Sequence, residues 1–97
     1  MDQPGRIIMS KDVLLSSRAR KEYKKLSPDM RKRIKAALKK LGAGDKHLDI
    51  KKLKGVGGRE DLYRLRVGNY RITYKPERRV IKVVRIDPRG KDYSWLD

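Results

Sequence analysis

The apolar positions of this chain fall into two helical stripes followed by strand alternation. Asp12 to Ser16 (DVLLS) is a short apolar stretch bounded by polar residues, which predicts a buried strand. Ser17 then suits a helix N-cap, and Ala19, Tyr23 and Leu26 recur at i, i+4 and i+7, giving a short helix one apolar stripe. Ser27-Pro28-Asp29 is a stop and a restart: a capping hydroxyl, a proline that fits the first helical position, and a carboxylate at the positive end of the helix dipole. The second helix aligns Met30, Ile34, Ala37, Leu38 and Leu41, and Gly42 is expected to end it. So tight a joint makes the pair a helical hairpin.

Residues 42–61 are rich in Gly and Lys and read as a connection with a short extended piece at Ile50–Lys54. Beyond it the period changes to two. Leu62–Val67, the pair Gly68-Asn69, and Tyr70–Lys75 predict a hairpin with a two-residue turn. Pro76–Arg79 is expected to form the next turn, Val80–Ile86 a third strand, and Asp87-Pro88-Arg89-Gly90 its end. A two-residue turn fixes register, so Arg66 should face Arg71, Leu65 Ile72, and Arg64 Thr73. One face then collects Tyr63, Leu65, Val67, Tyr70, Ile72 and Tyr74 against the helices. The other collects Arg64, Arg66, Arg71, Thr73 and Lys75. If the second turn keeps register, Lys75 faces Val80 and Thr73 faces Lys82, which brings Lys82 onto the basic face.

Composition narrows the function. Lys and Arg number 28 against 12 Asp and Glu in 97 residues, a net charge of +16. That length suits one domain, and 37% apolar residues suffice for one two-layer core. Residues 11–97 are expected to form that domain, with residues 1–10 a flexible extension. No apolar run approaches the ~20 residues of a membrane helix, and residues 1–9 do not resemble a signal peptide. A cytoplasmic protein that makes no membrane contact is therefore expected. With no cysteine and a single histidine, His47, neither a thiolate zinc site nor another metal site or cofactor is expected. Each half of the chain carries 14 basic and 6 acidic residues, so the charge belongs to the folded segments, and nucleic acid is the default partner. Between Arg18 and Leu41 lie 11 basic residues and two acidic ones, read first as solvated helix faces and second as an RNA contact. The glycines of KGVGGRE (residues 54–60) lack the Lys-Ser/Thr and the following helix of a phosphate loop.

The facing Arg66 and Arg71 matter most. Like charges at paired strand positions cost several tenths of a kcal/mol, so a chain under pressure only to fold has no reason to place them beside Arg64. Guanidinium forks bind phosphate oxygens bidentately, and a phosphate site is the favoured reading. Arg89, just past the third strand, is placed to reach a phosphate held by Arg71. Tyr93 is placed to stack on a base. Trp95 reads as an apolar anchor for the tail.

These segments in order resemble the RelE/ParE superfamily of toxins from toxin–antitoxin systems: a strand, a helical hairpin, KLKG, DLYRLRVGNYRITY, an apolar strand and a PRGKDY end. The likeness covers about Lys11 to Tyr93, is strongest over Leu53–Tyr74, and is nearest to archaeal RelE-like members. It implies an α+β fold, β-α-α-β-β-β, in which a small twisted and largely antiparallel sheet packs on the N-terminal helical hairpin. It also implies an mRNA interferase: an endoribonuclease that enters the ribosomal A site and cuts mRNA there without a metal. By motif, Arg71 corresponds to the arginine that holds the scissile phosphate, Arg89 to a second catalytic arginine, and Tyr93 to a C-terminal tyrosine that stacks on or orients the nucleotide. Arg64 and Arg66 match a basic pair on the preceding strand. Lys52, Lys54 and Lys82 complete the expected RNA-binding set. The implied partners are a RelB-like antitoxin, the ribosome with its rRNA, and mRNA. Two other readings stand beside this one: a ParE-like inhibitor of DNA gyrase on the same fold, and a non-enzymatic RNA- or ribosome-binding module. Arg71, Arg89 and Tyr93 together favour the nuclease.

Overall fold

A computed structural model describes residues 11–53 and 62–88. The segments 1–10, 54–61 and 89–97, which include Lys54, Arg89, Tyr93 and Trp95, lie outside the described residues. The element order is β1 (Asp12–Leu15), α1 (Ser17–Lys24), α2 (Pro28–Gly42), β2 (Ile50–Leu53), β3 (Leu62–Val67), β4 (Tyr70–Pro76) and β5 (Val80–Pro88). The expected α+β architecture is present. The extended piece after the helices is a full strand at the sheet edge, so the sheet has five strands in the order β1-β5-β4-β3-β2. Among the described residues only β1 and β5 pair in parallel. Among the described residues, no helix is long and apolar enough to cross a membrane.

Three local readings change. The N-cap of α1 is Ser16, not Ser17. Its N–H continues the parallel ladder to the Val83 carbonyl (2.9 Å), while its Oγ accepts the Ala19 N–H (3.0 Å). One residue thus serves as last rung and first cap, and the strand passes into the helix with nothing between. Strand β1 is an edge strand rather than a buried one: Val13 and Leu15 turn inward and Leu14 stays 53% exposed. Helix α2 ends at Gly42 as expected, but Gly42 is not a left-handed cap: Ala43 is the C-cap and Gly44 follows at φ +81. Gly42 is there for close approach. Its carbonyl accepts the Lys11 N–H (2.8 Å), and a Cβ on it would lie 2.7 Å from the Lys11 carbonyl oxygen.

The joint between the helices forms as its residues suggest. Ser27 Oγ accepts the Met30 N–H, and Arg31 Nη1 donates to the Leu26 carbonyl (2.8 Å), closing the end of α1. Ala19, Leu26, Ile34, Leu38 and Leu41 from this hairpin form one core with Leu65, Ile72, Tyr74, Ile81, Val83 and Ile86. Tyr63, Val67 and Tyr70 pack at its margin, so all six residues assigned to the inward face of the β3–β4 hairpin lie there. The β3–β4 register is the one the two-residue turn dictates, with Gly68 at φ +57.

The β4–β5 register is not. Strand β4 continues through Pro76, the Glu77 N–H donates to the Val80 carbonyl (2.7 Å), and Lys75 faces Lys82 rather than Val80. A bulge between Thr73 and Tyr74 then leaves Val84 as the extra residue, so Thr73 faces Arg85 rather than Lys82. The bulge shifts the alternation of β5. Ile81 and Val83 point inward, then Ile86, while Lys82, Arg85 and Asp87 share the outer face.

Candidate nucleic-acid interface

The outer face of the sheet is built of rows that run across the strands. The Arg66 N–H donates to the Asp49 carbonyl (3.0 Å), extending the β2–β3 ladder one step before Ile50. Asp49, Arg66, Arg71 and Asp87 therefore stand side by side on four adjacent positions. The next row is Lys51, Arg64, Thr73 and Arg85. Lys75 and Lys82 face each other further along. Side chains at directly opposed positions share a face and touch, so the central arginine pair is flanked by a carboxylate on each side. Mutual repulsion between Arg66 and Arg71 is offset by Asp49 at one end of the row and Asp87 at the other.

The carboxylates differ in how they are held. Asp87 is buried, with its side chain 4% exposed, and its Oδ1 accepts from Arg85 Nη2 at 2.8 Å. Arg85 is in turn gripped by Glu22 of α1, whose Oε2 accepts from Nε at 3.0 Å. The other Glu22 oxygen accepts the Ile86 N–H at 2.7 Å. Strand β1 ends at Leu15, so among the described residues no strand pairs with β5 beyond Val83 on that side, and Glu22 supplies the acceptor that a strand would. Asp49, by contrast, is 56% exposed. It sits 3.4 Å from Arg64 Nη1 and 3.8 Å from Arg66 Nε, longer than the 2.7–2.9 Å typical of a tight charge-assisted bond. Lys75 and Lys82 share Glu77, at 2.9 and 3.7 Å, and the hydrogen bond from Lys75 holds the Glu77 carboxyl below its ordinary range.

This face is less open and less uniformly basic than the sequence suggests. Arg64, Thr73, Arg85 and Asp87 are all buried, and only Arg66 and Arg71 of the central group keep partial exposure. Thr73 Oγ1, buried between Arg64 and Arg85, has no hydrogen-bond partner among the described residues. Arg64, Arg66 and Arg71 are brought together as expected. Lys82 joins the same face but stands beside Lys75, away from Arg71. Lys52 is not brought to the site: it faces Tyr63, on the helix-packed side, and Lys51 occupies the position opposite Arg64. His47, 96% exposed in the loop before β2, takes no part. Asp49, Lys51, Glu22, Arg85 and Asp87 escape a reading of the sequence. Glu22 was the nearest to detection, as the one carboxylate in α1.

The arrangement suits phosphodiester recognition. Arg66 and Arg71 stand at directly paired positions of β3 and β4 and keep partial exposure, and paired cations stabilise charge that grows on phosphate oxygens. Comparison with known proteins places the chain in a family. Residues 13–93 match the family model described as the ParE toxin of type II toxin–antitoxin systems, parDE. The chain is similar to the protein in the crystal structure of the archaeal RelE–RelB complex from Pyrococcus horikoshii, at 29% identity and TM-score 0.65, covering 87% of this chain and 100% of that one. It is similar too to that in the RelB–RelE antitoxin–toxin complex from Methanococcus jannaschii, at 30% identity and TM-score 0.66, covering 87% and 99%. The isolated E. coli RelE toxin shares the fold at 19% identity and TM-score 0.63, over 89% of this chain and 92% of that one. No curated protein matches the chain.

Proposed function

Because this chain belongs to the RelE/ParE superfamily of toxins from type II toxin–antitoxin systems, we propose that it is a ribosome-dependent endoribonuclease that cleaves mRNA in the A site. The observation that carries the reading is the Arg66–Arg71 pair at the centre of an ordered row of charges. A binding module needs positive charge, which the helices already supply in quantity. It does not need two guanidinium groups opposed on adjacent strands and steadied from both sides.

In this reaction a ribose 2′-OH attacks the adjacent phosphorus, the P–O5′ bond breaks, and the products are a 2′,3′-cyclic phosphate and a free 5′-OH. The 2′-OH proton is lost and the 5′-oxygen gains one, so the exchange is balanced without a redox partner. Arg71 holds the scissile phosphate and Arg66 shares the negative charge of the phosphorane. Arg64, buried on the same face two residues along β3, adds to the positive field at the phosphate, and Lys51 widens the positive rim. Arg89 and Tyr93 remain the proposed second arginine and stacking residue on the strength of their motif. Alignment of 2′-oxygen, phosphorus and leaving oxygen comes from the ribosome, which explains how a site without a base near pKa 7 works. A RelB-like antitoxin is the proposed partner. An acidic chain would be steered onto the +16 surface and would silence the toxin by covering it.

A second reading, inhibition of DNA gyrase, has one finding in its favour: the matched family model is described as the ParE toxin. Analysis of the ends left on translated mRNA separates the two. Fragments with a 2′,3′-cyclic phosphate and a 5′-OH are expected. Unbroken mRNA together with loss of gyrase supercoiling activity would transfer the assignment to the second reading.

A further inference from the structure

The two carboxylates that flank the arginine pair are built for different tasks. Asp87 is buried and tied to Arg85 at 2.8 Å, and Arg85 is anchored to α1 through Glu22 at 3.0 Å. Nothing that approaches from solvent displaces such a group without opening the sheet edge. Asp49 is more than half exposed, stands at the start of an edge strand, and reaches Arg64 and Arg66 only at 3.4 and 3.8 Å. Its backbone is pinned by the hydrogen bond from the Arg66 N–H, so its carboxylate cannot drift from the arginines, yet its grip on them is loose. Of the two arginines that Asp49 touches, Arg66, 37% exposed on its side chain against 10% for Arg64, is the one an incoming phosphate meets.

We propose that Asp49 is a specificity-determining residue: a tethered carboxylate that occupies Arg66 in the free protein and must be displaced by the RNA phosphate. This rests on the reading above that Arg66 binds phosphate. Displacement lowers affinity for every phosphodiester by the same factor, but the consequence differs with how the phosphate arrives. RNA in bulk solution competes at its ordinary concentration and is held off. A phosphate presented by the ribosome arrives at an effective concentration in the millimolar range and still displaces the carboxylate. Asp49 thus keeps a protein of charge +16 from saturating with bystander RNA while leaving the delivered substrate able to bind.

The test is equilibrium binding of a short fluorescein-labelled single-stranded RNA to the purified full chain across a salt series. Asp49→Asn should bind about fivefold more tightly than wild type, with a log–log salt slope steeper by about 0.7, the value for one added phosphate contact on a single strand. Asp49→Glu, which keeps the carboxylate, should stay near wild type. Asp29→Asn removes the same unit of charge from the exposed first turn of α2 and should leave the slope unchanged. In an Arg66→Gln background the gain from Asp49→Asn should vanish. Equal effects of Asp49→Asn and Asp29→Asn, persistence of the gain without Arg66, or no measurable binding by Asp49→Asn would each overturn the proposal. Thermal melting reports whether the variants fold, and Asp49→Ser gives the same readout should the asparagine variant fail. Because no arm requires cleavage, coupling between Asp49 and Arg66 without mRNA cutting would keep this inference and sink the nuclease reading.

Discussion

Replacing Glu22 by alanine removes the two hydrogen bonds that Glu22 of α1 makes to β5, at Arg85 and Ile86. The Ile86 N–H, on a residue only 2% exposed, loses its acceptor at 2.7 Å, and a buried donor left without a partner costs about 1–3 kcal/mol. Arg85 loses the carboxylate at 3.0 Å but keeps Asp87 at 2.8 Å. Its loss therefore falls below the roughly 3–5 kcal/mol of a buried charge left wholly uncompensated. The ion pair with Arg18 adds almost nothing, since Arg18 is 66% exposed. Together these give about 3 kcal/mol. Urea unfolding followed by far-ultraviolet circular dichroism reads this as a midpoint lowered by roughly 1.5 M, for an m-value near 2 kcal/mol/M. Glu22→Gln keeps an oxygen for the Ile86 N–H and gives up the charge, so it should fall about midway between the two. A loss under about 1 kcal/mol for Glu22→Ala would refute the claim that Glu22 closes the sheet edge, given the size of the unsatisfied-donor penalty. Equal losses for the two variants would show that the hydrogen bond to Ile86 carries none of it.

Gly42→Ala should destabilise the fold by about 1–3 kcal/mol, because its Cβ would meet the Lys11 carbonyl oxygen at 2.7 Å. Propensity alone predicts a gain of about 1 kcal/mol for glycine to alanine in a helix, so the sign of the shift in a thermal melt decides between them. Arg71→Ala should leave the melting profile essentially unchanged and lower the single-turnover cleavage rate by about 10²–10³, the usual loss for one oxyanion-stabilising donor; near-native activity would remove Arg71 from the site. Burial, reinforced by Tyr63, pushes Tyr74 up to about 12 from 10.0. The folded state therefore holds that proton more tightly than the unfolded chain. The resulting stability is complete below pH 10 and declines as the pH rises towards 12, which urea midpoints across that range and absorbance titration at the tyrosinate band both read. Reversing the charge of Lys32, Lys35 and Lys39 on α2 should weaken ribosome binding and flatten its salt dependence without changing the rate of the chemical step; unchanged affinity would make those lysines a solvated face and nothing more.

What could be read from the sequence is what short-range rules control. Gly68-Asn69 flanked by alternating apolar residues fixed the β3–β4 register, and with it the opposition of Arg66 and Arg71. Ser27, Pro28 and Asp29 marked the break between the helices. Where the pattern carries no phase, local rules do not set which side chains share a face. Ile50–Leu53 (IKKL) alternates weakly, and only its pairing with β3 decides that Lys51 rather than Lys52 shares a row with Arg64. The adjacent Val83 and Val84 concealed a bulge, which moved Arg85 and Asp87 onto the arginine face. Ser16 and Ser17 are both good caps, and the choice fell to the one that also completes the ladder with Val83. The carboxylates were the largest omission. Asp49 lies 15 residues from Arg64 and Glu22 lies 63 residues from Arg85, distances over which charge pairing follows from the fold and not from any local pattern.

The most direct measurement for the nuclease reading is primer extension on an mRNA translated in a purified system, run beside the same mRNA without ribosomes. Discrete new ends at A-site codons are expected with the wild-type protein, none without ribosomes, and none with Arg71→Ala. Intact message in the translated sample, or cleavage of equal efficiency on naked mRNA, would contradict that reading.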